Sequence, residues 1–239
     1  MNQNIETAKS IFTDKSLCAY FEDGRIATIE YCMPGSAIAV NFHKLLEKGY
    51  RRIGQVVYRN VCENCSDCLP LRIETDKFKL SRSHKRTLKN NEDIGLEVLR
   101  NPFVTPDKII LYDNYVKLKH KDNKEEPGDP VNILLNIHYG YSQTIEMNYY
   151  LADKLIGVGI VDEGKDSLSS NYFYYDTDYL RRRLGVFSIL QEIALARKLK
   201  KKYYYLGFYI EENPKMSYKK FFRPNQVFEK EQWMEFLQE

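Results

Sequence analysis

Hydrophobic and polar positions alternate with different periods in different parts of the chain. In residues 103–120 (FVTPDKIILYDNYVKLKH), Ile109, Tyr112, Tyr115, Val116 and Lys119 recur at helical spacing, which predicts a helix ending near His120. The following KDNKEEPGDP is polar and rich in turn formers, and reads as a loop. IEMNYYL (145–151), LIGVGIV (155–161) and SLSSNYFYYD (167–176) are apolar and aromatic runs of strand length separated by turn residues. They predict consecutive antiparallel strands. From Gly185, the series Val186, Ile189, Leu190, Ile193, Ala194 predicts a helix with one buried face. YYYLGFYI (203–210) is a further strand. The fold class expected is α+β with a mostly antiparallel sheet in residues 102–239. Residues 1–101, a mixture of short apolar runs with cysteine-containing and basic segments, form an expected N-terminal unit.

At 239 residues and 43% hydrophobic, the chain can bury the core of one large domain or two small ones. No stretch reaches the roughly 18 consecutive apolar residues of a membrane span, and MNQNIETAKS lacks the layout of a secretory signal. The expected location is the cytoplasm, with no membrane partner. A net charge of +3 does not by itself announce nucleic-acid binding, so the location of the charge matters. Basic residues concentrate at 72–91, 181–183 and 197–202.

Three segments carry candidate chemistry. Cys62, Cys65 and Cys68 stand at CxxCxxC spacing, which lets thiolates converge on one metal. Cys18 is the best candidate for a fourth ligand and Cys32 the second, for a structural Zn2+ or an iron-sulfur cluster. The alternative is free thiols in a reducing compartment. SRSHKRTLKNN (81–91) presents Arg82, His84, Lys85, Arg86 and Lys89 among serines, groups that hold phosphate or carboxylate oxygens. It also reads as a solvated helix start capped by Ser81 or Ser83. In DYLRRRLGVFSILQEIA a glycine turn leads into a helix, whose free N–H groups favour anions. Val186 and Phe187 would crowd a coenzyme A pyrophosphate there.

Several ordered blocks together carry a resemblance: CAYF (18–21), GYRRIGQVVYRNVCENCSDCLPLRI (49–73), SRSHKRTLKNN (81–91), LYDNYVKLKH (111–120), SSNYFYYD (169–176), RRLGVFSILQEI (182–193) and YYLGFYIEENPKMSYKKFFRP (204–224). From about Cys18 to Trp233 the chain resembles the arginyl-tRNA-protein transferase family, and most closely its compact bacterial leucyltransferase branch. The resemblance implies an enzyme that moves an aminoacyl group from charged tRNA, its co-substrate, to the α-amine of proteins with N-terminal Asp or Glu, feeding an N-degron degradation pathway. It implies an acetyltransferase-like (GNAT-like) catalytic half, with no coenzyme A. Leucine is the expected donor residue; LGFYI (206–210) leaves arginine open.

Within that expectation, Asp176, Tyr172, Tyr174 or Tyr209 would take the amine proton. Arg51, Arg52, Arg72 and Arg82, the last favoured with Ser81, Ser83 and His84 beside it, would meet the acceptor's carboxylate. Lys85, Arg86, Arg181, Arg182, Arg183, Gly185, Lys215, Tyr218 and Lys219 would contact tRNA. Two departures fall beside the acceptor arginines and the cysteines. YRRIG puts Ile53 where the family has a small hydroxyl residue, and CAYF stands for CPYL. Two other classes fit parts of the chain: an acetyl-coenzyme A-dependent acetyltransferase, and a noncatalytic RNA-binding module built on the cysteines.

Overall fold

The computed structural model describes residues 10–33, 38–119, 128–140 and 143–236. Strands β1 (Ser10–Leu17) and β2 (Ile26–Met33) precede helix α1 (Ile38–Glu47), and β3 (Arg51–Ile53), β4 (Val56–Asn60) and β5 (Leu69–Glu74) follow it. Then come α2 (Arg82–Lys89), β6 (Ile94–Leu99), α3 (Pro106–Lys119), α4 (Pro130–His138), β7 (Gln143–Leu151), β8 (Lys154–Glu163) and β9 (Ser167–Tyr175). Helix α5 (Leu184–Lys198), β10 (Tyr203–Tyr209), β11 (Gln226–Glu229) and β12 (Gln232–Glu235) complete the chain, with single 3-10 turns at Thr177–Arg182 and Ser217–Phe221.

The strands form two sheets. A four-stranded antiparallel sheet has the order β1-β2-β4-β3; an eight-stranded one has the order β12-β11-β5-β10-β9-β8-β7-β6. The three aromatic segments predicted as consecutive strands are β7, β8 and β9, paired antiparallel in turn. The α+β class with mostly antiparallel pairing therefore holds. The larger sheet does not respect the division at residues 101 and 102. It takes β5 and β6 from before that point, and β5 lies between β10 and β11.

The pairing of β9 with β10 is parallel and short. Tyr203–Tyr205 run beside Ser167–Ser169, after which β9 continues along β8 while β10 continues along β5. The two strands thus part beyond Ser169 and Tyr205, leaving a wedge.

Helix α5 packs on the sheet through Leu184, Phe187, Ile189, Leu190, Ile193 and Ala196, in one core with Leu71, Ile73, Ile145, Met147 and Tyr204. Its periodicity is as predicted, but the buried face ends on Ala196, and Ala194 is exposed. The same face buries Glu192, which the apolar pattern does not register. On the other side, Leu111 and Tyr112 of α3 and Leu134 of α4 pack against Val158, Ile160 and Tyr174. Helix α4 is not anticipated by the hydrophobic spacing, although Asp129 caps it through the Val131 and Asn132 N–H groups and Pro130 opens it. The predicted loop at 121–130 lies outside the described residues up to 127.

Candidate active site

Arg51 and Arg52 are neighbours on β3, so their side chains leave opposite faces of the strand. Arg52 is committed to the interior. Its guanidinium donates to both carboxylate oxygens of Asp162 at 2.9 Å, and to the carbonyls of Gly54 and Ile137 at 2.9 Å. With 2% and 1% of their side chains exposed, this pair is a buried structural tie rather than an acceptor contact. Arg72 is likewise engaged. It donates to Gln226 Oε1 at 2.9 Å, and its guanidinium carbon lies 4.0 Å from the Tyr203 ring centre and 4.2 Å from that of Trp233.

Arg51 points into the wedge. One guanidinium nitrogen donates to the Ser170 carbonyl of β9 at 2.8 Å, and the group lies over the Phe208 ring of β10, 5.5 Å from its centre. Its Nε is buried with no hydrogen-bond partner. The strand beside it is shaped for this approach. Gly207 has φ +82, and a Cβ there would collide with the guanidinium.

Lys219, in the turn Ser217–Phe221, comes to the same place from below. It is 8% exposed and donates to the Phe208 carbonyl at 2.8 Å, with Met216 Sδ at 3.4 Å. Burial, reinforced by the charge of Arg51, pushes its pKa down to about 7. A lysine so enclosed is not a surface contact for tRNA phosphate. Tyr218 beside it is partly buried in the α5 core, and burial pushes its phenol up to about 12.

A mainly apolar cavity of about 190 Å³ lies between the small sheet and the cysteine segment. Cys18, Cys62, Cys65 and Cys68 all line it, with Tyr20, Arg25, Tyr31 and Tyr58. Tyr58 stands opposite Arg51 across the strand pair and meets the Phe208 ring edge-on at 6.1 Å. Burial holds the Tyr20 phenol above its ordinary range, with Tyr58 adding and Arg51 opposing. The cysteines are brought to one cavity but not to one centre: among the described residues no group of three or more His, Cys, Asp or Glu is arranged to hold a metal. Two of them have other partners. Cys62 Sγ accepts the Thr28 N–H at 3.3 Å, Cys65 Sγ receives an Arg25 N–H at 3.4 Å, and burial pushes the Cys68 thiol up to about 12. Cys32 is buried separately, in the core formed with α1.

The basic segment forms helix α2, with the capped start that the second reading expects. Ser81 is its N-cap, accepting the His84 N–H at 3.2 Å, while His84 Nδ1 accepts the Ser81 N–H at 3.3 Å. His84 is buried, 4.8 Å from the Phe222 ring between centres, so it caps and packs. Arg82, Lys85 and Arg86 face solvent. Helix α2 packs against the start of α5, where exposed Arg183 donates to Ser83 Oγ at 2.8 Å. Arg183 is in the left-handed region at φ 57, and no side chain caps α5. Gly185 opens onto free space, since a Cβ there would meet nothing within 4 Å. Arg181 is exposed beside it, whereas Arg182 is tied to Asp93 by bonds of 2.7 and 2.9 Å. Arg82 therefore sits with the basic surface, not with Arg51. Lys215 is exposed on the approach to the Lys219 turn.

The candidate bases are differently occupied. Asp176 caps the turn Thr177–Arg182 through the Asp178 N–H at 3.0 Å and pairs with Lys154 at 2.7 Å. Tyr172 and Tyr174 lie among aromatic rings with Tyr112, and burial raises both phenols far above their ordinary range. Tyr209 is 2% exposed against Phe236. Glu192 lies beneath the wedge, where Ser188 donates to it at 2.8 Å and Tyr204 at 2.7 Å, and burial raises its pKa.

An open basic surface at an uncapped helix start and two enclosed basic side chains where two strands part are the main electrostatic features of this region. The chain belongs to the arginine-tRNA-protein transferase family. Residues 16–86 match the family's N-terminal part and residues 107–229 its C-terminal part. It is 31% identical over 237 residues to the aspartate/glutamate leucyltransferase of Saccharophagus degradans, covering 98% of this chain and 99% of that protein. To that of Leptospira interrogans it is 34% identical over 231 residues, covering 95% and 89%. Among solved structures, L-PGS from Bacillus licheniformis aligns at 11% identity and a TM-score of 0.45, over 88% of this chain and 71% of that one. By its family the protein is an aminoacyltransferase that takes its donor group from charged tRNA.

Proposed function

We propose that the protein transfers leucine from Leu-tRNA to the α-amine of proteins beginning with Asp or Glu, marking them for degradation by an N-degron pathway. Near-full-length similarity to relatives named for that specificity carries the reading. The parting of β9 and β10 supports an acetyltransferase-like catalytic half in residues 102–239, completed by β5 and β6 from the N-terminal part. Arg51 is the acceptor's carboxylate contact, because among the candidate arginines it combines an enclosed guanidinium with a buried nitrogen that lacks a partner. The surface of Arg82, Lys85, Arg86, Arg181 and Arg183 at the start of α5 holds tRNA phosphate.

The reaction needs little beyond alignment. The aminoacyl ester is already activated, and an α-amine with a pKa of about 7.7–8.0 is partly neutral at cellular pH. The amine nitrogen attacks the ester carbon, the bond to the tRNA 3′-terminal oxygen breaks, and the proton lost by nitrogen ends on that oxygen. Holding amine and ester together in the wedge lowers the entropic part of the barrier, and nearby donors stabilise the oxyanion.

Incubation with Leu-tRNA or Arg-tRNA and peptides beginning with Asp, Glu, Lys or Ala tests the reading by mass spectrometry. A gain of one leucyl residue on the acidic peptides alone is expected. A gain only with Arg-tRNA would reassign the donor, and no gain in any combination would overturn the transferase reading.

A further inference from the structure

Two cations meet at the wedge. Among the described residues neither Arg51 nor Lys219 makes an ion pair, whereas Arg52 and Lys201 each have a carboxylate within 3 Å. Their bonds go to neutral oxygens, the carbonyls of Ser170 and Phe208, and one Arg51 nitrogen has none. Such an arrangement opposes folding, since each charge is desolvated and each repels the other. Gly207 adds to the case: its left-handed backbone makes room for a guanidinium held at a depth where no carboxylate of the described residues meets it.

We propose that Lys219 is the second cation of the acceptor hole, and that it takes a proton from solvent as the acidic side chain of the acceptor enters between it and Arg51. The proposal rests on Arg51 as the acceptor contact. Around Lys219, the charge of Arg51 acts from β3, the Phe208 carbonyl accepts from β10, and Met216 Sδ lies at the start of its own turn, with Tyr218 its neighbour in the chain. Glu192 of α5 lies beyond Tyr218, on which its charge acts. Burial and Arg51 together leave Lys219 largely neutral above about pH 7. An entering carboxylate counters both influences, so the ammonium form returns. A neutral Asn or Gln side chain provides no such compensation: Lys219 stays neutral, and the hole rejects the side chain by leaving Arg51 unpaired.

The experiment is calorimetry of the full chain with a peptide beginning with Asp, at pH 8, in buffers of different ionisation enthalpy. A hydrolysis-resistant Leu-tRNA analogue is present in one arm and absent in the other. Relative to Lys219→Met, which reports the proton change of the peptide's own α-amine, wild type should take up a further proton fraction approaching about one per peptide bound. Lys219→Met should abolish this lysine-linked share and weaken binding by roughly tenfold or more, with the affinity for the tRNA analogue unchanged. Lys219→Arg, permanently charged, should bind the peptide without that share, and circular dichroism of both variants establishes that they fold. Uptake and affinity unaltered by Lys219→Met, or no binding of the Asp peptide in either arm, would overturn the proposal. Leucyl transfer by a Lys219→Met protein that still shows the full uptake would remove the hole and leave the transferase. Proton-linked binding without transfer would do the reverse.

Discussion

Arg51 and Arg52 differ by one step along β3, and that step separates a site residue from a structural one. Arg52→Met leaves Asp162 buried without its cation, and unfolding free energy should fall by about 3–5 kcal/mol in denaturant titration. Arg51→Met should be close to neutral in the same assay, while discrimination between Asp- and Ala-initiated peptides collapses. Parity of the two variants in stability would contradict the distinction. The arginines themselves are readable in the sequence as acceptor candidates; which one is free is not, because Asp162 lies 110 residues from Arg52 and the pairing depends on sheet register. Arg82 attracts notice through its serine neighbours, of which Ser81 caps α2 and Ser83 accepts a bond from Arg183. Glu192 and Gly207 escape a reading of the sequence, one hidden inside an apolar helical pattern and the other resembling any strand glycine.

At the scale of elements, α2 shows that a charged run can be cap, packing surface and basic face at once. Ser81→Ala should cost about 1 kcal/mol of stability by removing the cap, with tRNA affinity at low salt nearly kept. Lys85→Ala or Arg86→Ala should leave stability alone and reduce the salt dependence of Leu-tRNA binding, the slope against log salt falling by about 1 for each phosphate left unneutralised. A slope equal to wild type would exclude these side chains from the tRNA surface. Helices α3 and α5 are legible from helical spacing and strands β7 to β10 from apolar runs of strand length, although the buried faces also take in Lys108 and Glu192. Helix α4 is not, for its signal is a cap and a proline rather than a long amphipathic stripe.

For the whole molecule, the enclosed lysine links stability to pH. Its pKa falls from an ordinary value of about 10.4 when unfolded to about 7 when folded. Between those values the unfolded chain binds more protons, so this group makes stability rise with pH from about 7 upward. Lys219→Met should therefore be more stable than wild type at about pH 6 to 7, with a difference that shrinks toward about pH 9 to 10 in chemical denaturation. A variant less stable than wild type throughout would indicate that the lysine is held by contacts the fold needs.

The place of β5 between β10 and β11 reaches beyond the site. A strand made early waits, during synthesis, for partners from the last part of the chain, and such distant pairings make for slow closure. Neither half can be lifted out as a portable module: cutting at residue 101 would strip β10 of a neighbour and expose a sheet edge in each piece. Two fragments produced together should find each other and rebuild a working protein, whereas either alone should aggregate.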